Sequence, residues 1–90
     1  MKEFQQKVKT ALSEIFDPDP QEQQEIEQIA KKAAQLRSTL DQQDDETLDL
    51  TVEFIVNKME ERVDGGPKWA WNNWVGTTAS FGVIPEGYQI

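Results

Sequence analysis

Ninety residues with seventeen Asp and Glu, nine Lys and Arg, no Cys and no His make one small acidic chain of net charge −8, with room for a single core. This composition excludes a disulfide framework and a thiolate site, and it removes both the commonest general base and the strongest nucleophile. The negative balance also disfavours direct binding to nucleic acid, which rests on Lys and Arg neutralising phosphates.

In chain order, the first predicted element is an amphipathic helix near residues 2 to 16, with Phe4, Val8, Leu12 and Ile15 on one face. "DPDP" ends it, because each proline fixes its own φ, lacks an N–H and pushes the preceding residue out of the helical region. The same stretch starts the second helix. Asp19 is the predicted cap, with Pro20 in the first helical position and Glu22 three residues after the cap, a capping box in which Asp takes the place of Ser or Thr. Ile26, Ile29, Ala33, Leu36 and Leu40 then form its apolar stripe, backed by Ala30 and Ala34.

After "DQQDDE", Asp44 or Asp45 is the predicted cap of a third helix reaching about Val63. Its stripe is Leu48, Val52, Ile55, Met59 and Val63, while Leu50 and Phe54 lie on nearly the opposite side. A helix that is apolar on two faces needs two covers. The first two helices supply one, and the Trp-rich C-terminal segment is the expected second. Gly65 is read as a left-handed C-cap of the third helix, with Pro67 enforcing the stop.

The chain changes character at this point. Residues 1 to 64 hold eight Lys and Arg against sixteen Asp and Glu, whereas residues 65 to 90 hold only Lys68 and Glu86, together with all three tryptophans. "KWAWNNWV" and "TTASFGVI" are β-prone and partly alternating around Gly76, which predicts a short β-hairpin or an extended wrap. The predicted fold is mainly α: a three-helix acidic domain over 1–64, with a Gly-Gly-linked neutral segment over 65–90 packed on helix three.

Two groups of residues stand out as candidate sites. Trp69, Trp71 and Trp74 are either a second layer of the core or apolar anchors for a protein partner, tryptophan being enriched at binding hot spots. Stacking on single-stranded bases needs interleaved basic residues, and Lys68 alone does not provide them. The run Asp41, Asp44, Asp45, Glu46, Asp49 and Glu53 suits a helix N-terminus, where carboxylates are favoured. It has no glycine and no calcium-loop spacing, so no metal is expected. Asp44, Asp45, Glu46 and Asp49 are therefore expected to steer a basic protein surface, or to imitate nucleic acid in an acidic inhibitor. Ser13, Ser38 and Ser80 lack the context of a nucleophile elbow. No cofactor is expected.

The glycine pair and its surroundings carry one resemblance. An acidic amphipathic stretch ending in "VDGG", followed by a neutral segment rich in Trp, Asn, Thr, Gly and Ser, resembles precursors of ribosomally made, modified peptides. Trp71, Asn72 and Asn73 resemble the aromatic-x-Asn element that some radical enzymes crosslink in such peptides. That resemblance implies a leader over 1–66 that docks a modifying enzyme and a core peptide over 67–90. The residues themselves favour a small non-enzymatic binding or regulatory module with a protein partner, and a structural subunit of an assembly is the neighbouring reading. No segment approaches the roughly 20 apolar residues of a membrane span, and "MKEFQQKVKTALSEIF" has no continuous apolar run of signal-peptide type. A soluble, cytoplasmic protein is expected.

Overall fold

The computed structural model describes residues 2–42 and 49–90. Helix α1 spans Lys2–Phe16 and buries Phe4, Val8 and Leu12 of the predicted stripe, with Ile15 partly buried against the core. Asp17 follows in the left-handed region at φ 46°, and its N–H donates to the Ser13 carbonyl. Helix α2, Pro20–Gln42, starts on the predicted reciprocal cap. The Glu22 N–H donates to Asp19 Oδ1 at 2.8 Å, and the Asp19 N–H donates to Glu22 Oε1 at 3.2 Å. Two N–H groups that a helix start leaves without partners are thereby satisfied.

α1 and α2 lie antiparallel, as their cross-helix pairs show. The Arg37 guanidinium sits over the Phe4 ring at 4.5 Å, Lys9 pairs with Glu27 at 2.9 Å, and Ser13 shares a hydrogen bond with Gln23. Ala30, Ala33 and Ala34 are all buried on α2, and their small side chains let neighbouring helices approach closely.

Helix α3 is shorter than the sequence suggests, spanning Val52–Glu60. Thr51 caps it, its Oγ1 accepting from the Phe54 N–H at 3.0 Å. The expected caps Asp44 and Asp45 lie outside the described residues. Leu50 and Ile55, both buried, take the N′ and N4 positions of a hydrophobic staple around this cap. Leu50 thus reaches the core from the segment before the helix and is not part of a helical face. Phe54 does present a second apolar face, covered edge-on by Trp74 at 5.9 Å between ring centroids.

The largest correction concerns residues 65 to 80. No strand occurs among the described residues, and the predicted hairpin or extended wrap is instead helix α4, Gly66–Ser80. A single 3-10 turn, Val63–Gly65, joins it to α3. Gly65 is not a left-handed cap: its φ is −87°. Gly66 is the residue that needs to be glycine, with φ 83° and ψ 166°, a region essentially closed to residues bearing a Cβ. Pro67, read as a stop, sits in the first turn of α4, where its missing N–H would have had no helical partner in any case.

Helix α4 buries Pro67, Ala70, Trp71, Trp74 and Val75, a spacing of three, one, three and one that marks a single helical face. It ends in a Schellman motif. Gly82 adopts φ 77° and donates to the Ala79 carbonyl, and the Val83 N–H donates to the Thr78 carbonyl at 3.2 Å.

α1 packs on α2 and α3, and α4 packs on the same two helices, so the order around the bundle is α1, α2, α4, α3. Among the described residues, eighteen buried hydrophobic side chains, Trp71 and Trp74 included, join one cluster. Beyond Gly82 the chain turns back over α4 as a strap, with Ile84 buried and Tyr88 and Ile90 packed against the core.

Candidate functional site

Helix α4 separates its tryptophans. Trp71 is fully enclosed and is the largest fully buried side chain; Trp74 is 4% exposed; Trp69 is 52% exposed. Positions 69 and 71 are two residues apart, roughly 200° around a helix, so they face opposite ways. Trp71 and Trp74 pack at 5.5 Å with their rings tilted 48°, and the Trp71 Nε1–H donates to the Tyr88 carbonyl at 2.7 Å. Both belong to the core, the first of the two readings the sequence left open.

Trp69 is different because of the glycine pair. A Cβ on Gly65 would overlap the Trp69 ring, and Gly66 supplies the backbone turn that only glycine makes readily. The indole therefore lies over the bare backbone of the joint before α4. It lines an open groove of about 710 Å³ between the N-terminal ends of α4 and α2, with Gly65, Lys68 and Asn73 on one side and Asp19, Glu22 and Glu25 on the other. The joint is held from the α3 side by Arg62, whose Nε donates to Asn73 Oδ1 at 2.9 Å and whose Nη1 donates to the Lys58 carbonyl at 2.9 Å.

The groove thus joins an exposed aromatic face to three carboxylates. Asp19 and Glu22 each give one oxygen to the α2 cap, which fixes where their charges stand. The acidic residues named from the sequence are not the ones found here. Asp44, Asp45 and Glu46 lie outside the described residues. Asp49 is exposed just before α3, at the far end of that helix from the joint carrying Trp69. Asp19 and Glu22 were legible as a cap, but their place beside Trp69 depends on α4 being a helix that packs on α2.

The strap carries a second set of polar contacts that sequence reading did not anticipate. Asn72 Nδ2 donates to the Ile90 carbonyl at 3.0 Å, and the Ile90 N–H donates to Asn72 Oδ1 at 2.8 Å. The Tyr88 and Thr39 hydroxyls lie 2.7 Å apart. Among the described residues, no helix is long and apolar enough to cross a membrane.

No curated protein and no solved structure matches the chain. One family model does, over residues 2–79, a span that runs from the start of α1 almost to the end of α4 and includes the cap at Asp19, the glycine pair and all three tryptophans. The chain is a member of the WNWW domain family.

Proposed function

We propose that this protein is a non-enzymatic protein-binding module and that it engages a basic segment of its partner in the groove beside Trp69. The observation behind this reading is the exposed indole held on Gly65, with Asp19, Glu22 and Glu25 across the groove, while the other two tryptophans are consumed by the core. A guanidinium or ammonium group over an indole face is worth about 0.5–1 kcal/mol at an exposed site. The carboxylates lining the same groove would add steering and register more than affinity. Arginine suits the groove better than lysine, because its planar group can stack on the ring and pair with a carboxylate at once. The net charge of −8 favours approach by a basic partner and repels nucleic acid.

The test is an NMR titration of the full chain with a tri-arginine peptide, using tri-glutamine as control, at low salt and again at high salt. The expected result is a saturable shift of the Trp69 indole and Gly66 amide signals with the arginine peptide, weakened by salt and lost in Trp69→Ala. Equal shifts with the glutamine peptide, or shifts confined to another surface, would overturn the reading.

A further inference from the structure

The strap is held to the helices in the way a bound peptide is held. Three of its polar ties involve its own main chain. The Trp71 Nε1–H donates to the Tyr88 carbonyl, and Asn72 both donates to the Ile90 carbonyl and accepts from the Ile90 N–H. A side-chain amide that bonds both main-chain groups of one residue offers the donor and acceptor that a neighbouring strand offers, so it reads main chain whatever side chain that residue carries.

Side-chain selectivity comes from Tyr88. The Thr39 and Tyr88 hydroxyls lie 2.7 Å apart, a hydrogen bond in which either can be the donor. The α2 side of the seam is therefore built for a phenol in preference to a phenyl ring. The groove residues Gln35, Thr39, Trp71 and Asn72 all lie inside the family span of 2–79, whereas the strap that fills the groove lies outside it.

From these observations we infer that the seam between α2 and α4 is a binding groove for peptide segments that carry a tyrosine two residues before an aliphatic residue. Its resident and displaceable occupant is the end of the strap, residues 88–90, while Ile84 stays in the core. Tethering gives the strap an effective concentration in the millimolar range, as short flexible links do, so a competing segment binds only to the fraction of molecules whose strap is open. Anything that loosens the strap raises the apparent affinity for a segment from another protein. This inference does not rest on the reading of the Trp69 groove, although Asn72 also lines that groove.

The probe is a fluorescein-labelled peptide with the sequence of residues 83–90, followed by anisotropy against the full chain. Tyr88→Ala in the full chain should bind it at least about tenfold more tightly than the unaltered protein, because the strap no longer competes on equal terms. The same peptide with Phe in place of Tyr should bind several-fold more weakly than the original. Adding Asn72→Ala to the Tyr88→Ala chain should cost about tenfold or more. Equal binding by the unaltered and Tyr88→Ala chains, with the helices intact by circular dichroism, overturns the inference, as does binding that survives loss of Asn72. Hydrogen exchange on the unaltered chain decides the matter even if Tyr88→Ala does not fold. The Ile90 amide should exchange roughly a hundredfold faster than the Val75 amide, through local opening. Equal rates would mean that the strap leaves only when the bundle unfolds, and the groove would then not be a binding site.

Discussion

The two faces of α4 use the same residue type for opposite purposes. On the inner face, Trp71 and Trp74 pack on each other and on Phe54, and Trp71 satisfies its one polar group on the Tyr88 carbonyl. On the outer face, Trp69 rests on a glycine joint beside three carboxylates and keeps half its surface in water. The inner pair replaces the aliphatic residues a helix would normally bury. The outer one occupies a place where a polar residue would serve a purely structural helix better. A cluster of tryptophans is therefore not one feature: helical phase sorts it into core and surface.

That contrast can be broken in order of expected effect. Trp71→Ala should cost about 3–5 kcal/mol, a large share of the total stability of a domain this size, and urea unfolding should show the midpoint collapsing or the chain unfolded in buffer. Trp74→Ala should fall in the same range, so any loss of binding in that variant would reflect loss of fold. Gly66→Ala places a Cβ in a region nearly closed to it and should cost on the order of 1–3 kcal/mol, read from the same unfolding curves. Asp19→Ala removes the α2 cap and should cost about 1 kcal/mol. Trp69→Ala should change stability least, by about 0.5 kcal/mol, as expected of a surface substitution, while removing the arginine-peptide shifts. If Trp69→Ala were as damaging as Trp71→Ala, the division of α4 into two faces would be wrong.

The first two helices were legible because their signals agree: the stripe from Phe4 to Ile15, the proline break and the reciprocal cap at Asp19 and Glu22 all point the same way. Helix α3 was legible at Ile55 and Met59, which are buried, but not at its ends: Val63, expected in the stripe, is exposed in the 3-10 turn, and Thr51 is one cap among several polar residues, marked as the one used only by the buried Leu50 and Ile55 around it. Helix α4 was misread for an identifiable reason. Trp69 on the outer face masks the inner spacing of Pro67, Ala70, Trp71, Trp74 and Val75, and Trp, Asn, Val and Thr all have modest helix propensity. Two signals in the sequence did favour a helix. Pro67 suits a first turn and Gly82 a position just past the end, the usual asymmetry of helix termini. The candidate site was legible only in part. Trp69 was named, but its acidic neighbours come from α2, which no local pattern places beside it.

The most direct test of the two-faced helix is acrylamide quenching of tryptophan fluorescence in the full chain, compared with Trp69→Phe. The account predicts two populations in the unaltered protein, a red, readily quenched component from Trp69 and a blue, protected component from Trp71 and Trp74. In Trp69→Phe the quenchable component should vanish and the blue emission should remain. A readily quenched component that persists in Trp69→Phe would mean that Trp71 or Trp74 is open to solvent, and would contradict the assignment of those residues to the core.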